Sequence, residues 1–252
     1  MKLKIENIEF AYNGKNVLNK ISTVIEEGDF IALVGPNGSG KSTFIKCLNR
    51  ILTPQKGSIY LDGRDVNDIS FRDLAKELAY VPQNEQKTMG LTVFDYILTG
   101  RKPYIHWKPS EKDIQQAAEV IKTLHLEDIA MKDINKLSGG QKQMICIARA
   151  ITQEPRVLLL DEPTSNLDIR HQMEIMDILK KFSEKGISII IAIHDINIAL
   201  RYANKFIMLK NNLIFREGNK DIINKENIEE LYHVKVNLFQ DGDKTYVVPD
   251  GL

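Results

Sequence analysis

Nine consecutive residues, 35–43, have the composition of a phosphate-binding loop. They read Gly-Pro-Asn-Gly-Ser-Gly-Lys-Ser-Thr and fit the spacing G-x-x-x-x-G-K-[ST]. Glycines allow positive φ, so backbone N–H groups can close around phosphate oxygens, and Lys41 adds a positive charge. A helix beginning at Lys41 would direct its N-terminal amides at the same anion. The residues expected to contact the nucleotide here, called the glycine loop below, are Gly35, Pro36, Asn37, Gly38, Ser39, Gly40, Lys41, Ser42 and Thr43.

Two carboxylates stand at the end of a second apolar run. Residues 157–160 are all aliphatic, which predicts a strand buried on both faces, as in a parallel sheet. We expect Asp161 to help hold a Mg²⁺ ion whose first protein ligand is the Ser42 hydroxyl. Glu162 faces the other way and suits a base that polarises an attacking water. A solvated turn is the alternative, but the buried strand favours a functional pair.

A second glycine-containing segment, residues 137–141, precedes a helical pattern that we expect from Lys142 to Thr152. It reads Leu-Ser-Gly-Gly-Gln, and two glycines at a helix start expose backbone amides to an anion. A flexible loop is the alternative. A second anion site so close to the carboxylate strand is hard to explain in a kinase or GTPase, and the sequence has no N-K-x-D base-reading motif.

Other polar side chains follow predicted strands. Gln83 comes after Pro82, which ends a strand because proline has no N–H to donate, and His194 follows the apolar run 187–193. Open α/β sheets bind ligands at the carboxyl ends of their strands. Tyr12 precedes the turn signal Asn13-Gly14, where its ring could stack on a base. Local sequence favours an ordinary strand tyrosine instead, since strands are enriched in tyrosine.

The elements around these residues indicate an α/β fold with a mixed sheet. Residues 2–33 alternate apolar and polar positions and predict an antiparallel β edge that leads up to the glycine loop. Strand patterns return at 57–62 and 78–81, and a short helix is expected over 71–78. A helix from about Ile169 to Lys185 follows the carboxylates. The tail has strand patterns at 206–209 and 213–216, an amphipathic segment at 225–232, and a last hairpin that turns at Asp241-Gly242.

Between residues 85 and 153 the pattern changes from strands to helices, expected at 93–98, 110–124 and 142–152. We interpret 85–153 as a helical subdomain inserted into an α/β core formed by 1–84 and 154–252. The whole chain, 1–252, is then one nucleotide-binding domain. An aromatic loop at 101–109 lies at the front edge of the helical subdomain.

Composition excludes several other classes of protein. The 34 basic and 34 acidic residues balance, so no general attraction to nucleic acid or to an anionic membrane is expected. The two cysteines, Cys47 and Cys146, lie in apolar helical patterns, which predicts buried thiols in a reducing compartment rather than a zinc or redox site. The N-terminus lacks a signal-peptide pattern, and apolar runs are far shorter than the ~20 residues of a membrane span. We expect a soluble, intracellular protein.

With these motifs in this order, the sequence resembles the ATP-binding-cassette (ABC) ATPases over nearly its whole length. Residues 35–43 match the family's Walker A motif and 157–162 its Walker B motif, and 137–141 match its LSGGQ signature. Gln83 matches the Q-loop, and 165–168, which end in Asp168, match the D-loop. His194 matches the switch histidine. Tyr12 matches the adenine-stacking aromatic, which reverses the local interpretation of that residue.

The resemblance implies ATP and Mg²⁺ as cofactors and a head-to-tail dimer of two copies. The signature of one copy would cover ATP held by the Walker A motif of the other. Ser138, Gly139, Gly140 and Gln141 would then act in trans, with Asp168 also at the nucleotide. Glu162 would orient and deprotonate water, His194 would hold the γ-phosphate and this base, and Gln83 would join Ser42 and Asp161 at the metal.

Residues 91–104 and 168–172 are similar to the ATPases of metal-chelate importers, which take up iron siderophores, haem, cobalamin or oxyanions such as molybdate. The expected partners are a membrane permease and, indirectly, an external binding protein. The chain would then work in the cytoplasm at the inner face of the membrane. Phe94, Tyr96, Tyr104 and Trp107 are candidate contacts for a permease helix. The alternatives are another transporter class, a non-transport ATPase of repair, translation or cluster assembly, and a non-hydrolysing scaffold.

Overall fold

The computed structural model describes residues 2–83, 90–242 and 244–251. Twelve strands lie in these residues: β1 (Lys2–Tyr12), β2 (Lys15–Glu26), β3 (Phe30–Val34), β4 (Lys56–Leu61), β5 (Arg64–Asp65), β6 (Leu78–Val81), β7 (Val157–Asp161), β8 (Ser188–Ala192), β9 (Lys205–Lys210), β10 (Leu213–Gly218), β11 (Lys235–Asp241) and β12 (Lys244–Gly251). Eight α-helices lie there as well: α1 (Lys41–Leu48), α2 (Phe71–Glu77), α3 (Val93–Leu98), α4 (Glu111–Thr123), α5 (Gly139–Thr152), α6 (Ile169–Glu184), α7 (Ile196–Tyr202) and α8 (Lys225–Tyr232).

The central sheet has six strands in the order β10-β9-β3-β8-β7-β6. Neighbours from β9 to β6 pair in parallel, and β10 pairs antiparallel with β9. The mixed α/β fold class predicted from the sequence is confirmed. Because β3, β8, β7 and β6 run in the same direction, their carboxyl ends lie at one edge of the sheet. These four ends carry the glycine loop, His194, Glu162 and Gln83.

Apolar side chains cover both faces of this sheet, which is why its strands are continuous aliphatic runs. Ile31 and Leu33 of β3 belong to a cluster that includes Phe44 and Ile45 of α1 and the inner face of the N-terminal sheet. Their neighbours in β3 point to the opposite face, toward the cluster formed with α5 and α6. The sheet therefore fixes the positions of its strand ends from both sides.

The N-terminal sheet is antiparallel, in the order β2-β1-β4-β5. Tyr12 of β1 pairs with Lys15 of β2 around the predicted turn at Asn13-Gly14. The expectation that all of 2–33 belongs to this antiparallel edge is wrong for its last part. Residues 30–34 enter the central sheet instead, because every one of them is apolar and buried and needs cover on both faces.

Helices α3 and α4 lie within a residue of the predicted bounds, but α5 begins at Gly139, three residues before the predicted start at Lys142. A capping box explains the earlier start, since the side chains of Ser138 and Gln141 each bond the other's backbone N–H. Helix α7 was not predicted. The division of the chain at 85–153 stays a prediction, although α3, α4 and α5 all lie in that stretch.

A buried ion pair joins the helices of this stretch. The Arg101 side chain, 3% exposed, pairs with Asp113 Oδ1 at 3.0 Å and with Glu154 Oε2 at 2.6 Å, and donates to the Thr152 carbonyl. Tyr104 packs its ring on the same guanidinium. One side chain thus connects the start of α4 with the end of α5.

Cys47 and Cys146 are both buried, as predicted, and burial raises the pKa of the Cys47 thiol to about 12. No helix within the described residues has the length and apolar character required to cross a bilayer.

Candidate active site

The glycine loop connects β3 to α1 and surrounds the start of the helix. Gly40, just before α1, has φ of 104°, and a Cβ at this position would lie 2.8 Å from the Val17 carbonyl oxygen. Only glycine fits there without displacing backbone. The Lys41 ammonium folds back and donates to the carbonyls of Gly35 at 2.9 Å and Pro36 at 3.3 Å. The loop thus forms a cradle at the positive end of a helix, which suits phosphate.

Ser42 and Asp161 meet beside this cradle. The Ser42 hydroxyl donates to Asp161 Oδ1 at 2.7 Å, and the Tyr80 hydroxyl approaches Asp161 Oδ2 at 3.5 Å. Helix α1 places the serine, and the buried end of β7 places the carboxylate. A hydroxyl and a carboxylate side by side offer the hard oxygen ligands that Mg²⁺ prefers. The residues present therefore fit the metal expected from the sequence.

Glu162 is held between two partners from neighbouring strands. His194 Nε2 lies 2.6 Å from Glu162 Oε1, and the Gln83 amide nitrogen donates to Glu162 Oε2 at 2.6 Å. The backbone of Glu162 has φ of 51°, a left-handed conformation that turns the chain out of β7. Such conformations are costly for residues with side chains and concentrate at functional sites. The carboxylate is oriented at both of its oxygens.

Burial changes the proton affinities of the charged groups at this edge. It lowers the pKa of Lys41, an effect that the Glu162 and Asp161 carboxylates oppose. Burial likewise raises the pKa of Asp161, against the hydrogen bond from Ser42 and the charge of Lys46. Each of these shifts disfavours the charged form. A bound phosphate would favour the charged lysine, and a divalent cation would favour the charged aspartate.

Tyr12 opens onto the same site. A cavity of about 380 Å³ is lined by Tyr12, by most residues of the glycine loop from Asn37 to Thr43, and by Glu162. Tyr12 is 46% exposed, and its ring packs edge-on against Phe10, with 4.8 Å between ring centroids. The cavity therefore places an open aromatic face and a phosphate cradle in one space, as a purine nucleotide requires.

The signature segment, residues 137–141, lies elsewhere. Ser138 and Gly139 are exposed at the start of α5, and Gly140 and Gln141 line a second cavity of about 630 Å³. Among the residues that the structure describes, no member of the signature segment lines the cavity at the glycine loop. The structure of one chain thus brings together Tyr12, the glycine loop, Gln83, Asp161, Glu162 and His194, but not Ser138 to Gln141.

Asp168 is connected to the signature segment through the side chain of His171. Its carboxylate caps α6 by accepting from the His171 backbone N–H at 2.9 Å, and its Oδ1 lies 2.8 Å from His171 Nδ1. This backbone hydrogen bond, together with that ring contact, lowers the pKa of Asp168. The His171 imidazole in turn packs on Gly140, where a Cβ would lie 2.8 Å from the ring. Asp168 therefore orients the ring that supports the signature segment.

Sequence reasoning did not single out Tyr80 or the contact of His171 with Gly140. The position of Tyr80 contained a signal, because it stands three residues before Gln83 on the strand that pairs with β7. The His171 contact had no such signal, since it depends on how α5 and α6 pack.

Comparisons with known proteins agree with this geometry. A family model described as ABC transporter matches residues 18–165. An uncharacterized ABC transporter ATP-binding protein of Methanocaldococcus jannaschii, MJ0089, is 44% identical over 252 residues, covering 100% of this chain and 99% of that protein. The petrobactin import ATP-binding protein YclP of Bacillus subtilis is 36% identical, with 94% of each chain covered.

Solved structures that resemble this chain also come from ABC transporters. A chain from a transporter described as inward-facing and of the metal-chelate type has a TM-score of 0.85 at 30% identity, covering 99% of this chain and 97% of that one. The ATP-binding cassette MJ0796, in a dimeric post-hydrolysis state bound to ADP and Pi, has a TM-score of 0.76 at 32% identity, covering 86% and 98%. With a phosphate cradle, a paired carboxylate site and these matches, the chain belongs to the ABC transporter family, among its ATP-binding proteins.

Proposed function

We propose that the chain hydrolyses ATP, and that Glu162 is the base. The observation that carries this proposal is the Glu162 carboxylate, held at one oxygen by His194 and at the other by Gln83 beside the glycine loop. A base oriented in this way can take a proton from a water molecule that attacks the γ-phosphate. His194 would keep the base in place and contact the same phosphate as it is transferred.

The remaining residues of the cavity bind and orient the nucleotide. Tyr12 stacks on adenine, and the amides of the glycine loop and the Lys41 ammonium hold the phosphates. Ser42, Asp161 and the amide oxygen of Gln83 are the groups that would hold Mg²⁺. When bound, this ion neutralises charge that develops on the phosphates.

We further propose that the active form is a head-to-tail dimer. The exposed start of α5 offers the amides of Gly139 and Gly140 to an anion, yet it lies away from the cavity of its own chain. A second copy could bring Ser138 to Gln141 over the γ-phosphate, with Asp168 and His171 behind them. The cassette MJ0796, whose structure is dimeric, supports a dimeric form of the chain.

For the transported substrate we propose an iron chelate. The relatives of this chain include the petrobactin import protein YclP and a probable siderophore transport ATP-binding protein, YusV, of Bacillus subtilis, 35% identical to it. The structural match to a metal-chelate type transporter supports the same class. The chain would act in the cytoplasm at the membrane, bound to a permease that receives the chelate from an external binding protein.

A cavity of about 400 Å³ offers a docking place for a permease helix. Ile51 and Phe71 line it and are 51% and 67% exposed, with the Arg50 guanidinium over the Phe71 ring at 4.1 Å. Arg72 ties α2 to the aromatic loop 101–109 through the carbonyls of Pro103 and Ile105.

Tyr80 lines this cavity while its hydroxyl faces Asp161, so one side chain reaches both the docking place and the metal ligands. Of the four aromatic residues expected at this edge, Trp107 is exposed, but Phe94, Tyr96 and Tyr104 are partly buried. The Tyr96 hydroxyl lies in a hydrogen bond with Cys146 Sγ, and the Tyr104 hydroxyl donates to the Gln153 carbonyl.

Reconstitution in liposomes with a siderophore permease and its binding protein tests the function. We expect ATP-dependent uptake of the ferric chelate. Phe71→Glu should reduce uptake by roughly tenfold or more, the effect of losing one interface hot spot, while basal ATP hydrolysis stays near the wild-type rate. Ile114→Glu, at an exposed position of α4 outside this cavity, is the matched control. Purification with ribosomes or DNA, and never with a membrane protein, would contradict the transport proposal.

A further inference from the structure

The Tyr232 side chain of the C-terminal segment, residues 219–251, contacts the glycine loop. Tyr232 is the last residue of α8, and its hydroxyl accepts a hydrogen bond from the Gly35 N–H at 3.1 Å. The two residues are 197 positions apart, and Tyr232 lies outside the residues 18–165 that the family model matches. The contact therefore joins the beginning of the nucleotide site to a part of the chain that the proposed function leaves unused.

Gly35 is a sensitive place for such a contact. It is buried with φ of 153°, and a Cβ there would lie 2.2 Å from the Leu209 carbonyl oxygen. Its carbonyl accepts from the Lys41 ammonium at 2.9 Å. The peptide groups on either side of Gly35 are thus held by Tyr232 at the N–H and by the phosphate-binding lysine at the carbonyl. A shift of Gly35 would move the lysine's anchor.

Tyr232 is itself firmly placed. Ile228 and Leu231 of α8 are buried in the main core, and burial raises the pKa of Tyr232 to about 12, so the hydroxyl stays protonated near neutral pH. A second attachment holds the hairpin of the C-terminal segment, where Asn197 and the backbone of Val247 exchange hydrogen bonds of 2.8 and 3.1 Å. Because the segment is anchored at two places, Tyr232 can serve as a fixed point for the loop.

We propose that Tyr232 is a positioning residue that holds the glycine loop in the conformation that binds ATP. The inference rests on the ATP binding of the proposed function and adds the C-terminal segment to the nucleotide site. Without the hydroxyl, the buried Gly35 N–H loses its partner, and the loop gains conformations in which that amide reaches water. ATP binds only the held conformation, so its apparent affinity falls with the population of that conformation.

Tyr232→Phe tests the proposal, because it removes the hydroxyl and leaves the packing of the ring. We expect the Kd and KM for Mg-ATP to rise roughly three- to tenfold, the range that corresponds to one net hydrogen bond. The kcat should stay near the wild-type value, since bound ATP restores the loop. Tyr246→Phe, the same substitution on the hairpin of the C-terminal segment, is the matched control and should leave both constants unchanged.

A purely structural role gives a different result. If Tyr232 only anchors α8, Tyr232→Phe lowers the Tm of the nucleotide-free protein and leaves Kd and KM at their wild-type values, which overturns the proposal. A fall in kcat at unchanged KM overturns it as well. Failure of the wild-type protein to bind Mg-ATP would overturn the proposed function itself, and this inference with it, so the two failures are distinguishable.

Discussion

The carboxylate of Glu162 is the point where three strand ends of the site meet. It follows β7 directly, and it is bonded by a side chain after β6 and by another after β8. Its left-handed backbone turns it away from Asp161, so two adjacent carboxylates serve different partners. Asp161 accepts a hydrogen bond from Ser42, whereas Glu162 contacts Gln83 and His194.

Glu162→Gln keeps the volume of this side chain and removes its ability to accept a proton. We expect ATP turnover to fall by roughly 10² to 10⁴, the usual contribution of a general base. ATP should then stay bound between two stable subunits, which size-exclusion chromatography with labelled ATP would detect. Glu174→Gln, which changes an exposed carboxylate on α6, is the control. Near-normal turnover by the Glu162 variant would remove this residue from the role.

At the residue scale, the sequence indicated polar groups that the structure brings together at one edge of the sheet, because each follows an apolar run and the carboxyl ends of parallel strands lie together. The family resemblance placed His194 at this base, but no pattern in the sequence placed the Gln83 amide on Glu162. That Gln83 and His194 meet on Glu162 depends on the strand order β8-β7-β6, which places their strands on either side of β7. The contact of Tyr232 with Gly35 depends on the packing of α8, and a lone tyrosine at a helix end gives no signal of it.

At the scale of elements, the contact between the start of α4 and the end of α5 depends on Arg101. Its guanidinium is almost fully buried and bonds Asp113, Thr152 and Glu154. Burial alone would raise the pKa of Asp113, yet hydrogen bonds from Ser110 and Arg101 hold this pKa below its usual range. The carboxylate is therefore charged at neutral pH, and the removal of Arg101 would leave it buried without its cation.

We expect Arg101→Ala to reduce the free energy of unfolding by about 3–5 kcal/mol, as the loss of one partner of a buried ion pair does. Urea denaturation followed by circular dichroism measures this change. The matched control is Arg170→Ala, which breaks the exposed pair with Glu174 on α6 and should cost less than about 1 kcal/mol. Equal losses for the two variants would show that burial of the Arg101 network adds nothing to stability.

Elements whose apolar residues recur with a clear period were predicted well, and elements that depend on tertiary context were not. Helix α3 was predicted over the same residues, 93–98, from its helical pattern, and in the structure Thr92 caps its start. Helix α7 has only seven residues and begins two residues after His194, which was interpreted only as a side chain at a strand end. The residues of β3 were assigned to the wrong sheet because alternation in the preceding strands hid the point where the chain crosses to the central sheet.

At the scale of the whole molecule, the signature segment lies apart from the glycine loop, and in the proposed dimer each site would take parts from both copies. Lys41→Ala damages the glycine loop. Gly139→Asp damages the signature segment by placing a negative charge at the γ-phosphate. The new side chain fits because a Cβ at Gly139 meets nothing within 4 Å. Each variant alone should have little activity, since both sites of its dimer are defective.

A mixture of these two variants should recover activity. In a mixed dimer one site combines both defects, and the other combines an intact loop with an intact signature segment. Random exchange of equal amounts should give about one quarter of the wild-type ATPase rate, since half of the dimers carry one good site of two. Coupled-enzyme assays of each variant alone are the controls. A mixture no more active than its components would contradict the shared site.

The loop 101–109 that Arg72 fastens to α2 contains the chain's one tryptophan, Trp107, and the side chain is 96% exposed. When tryptophan is excited selectively, the fluorescence of the protein therefore comes from a single, water-exposed indole. Its emission maximum lies at long wavelength in the free subunit and shifts to the blue when a partner removes water from this surface. If the proposed permease helix binds at this surface, the change in emission would report it without any added dye.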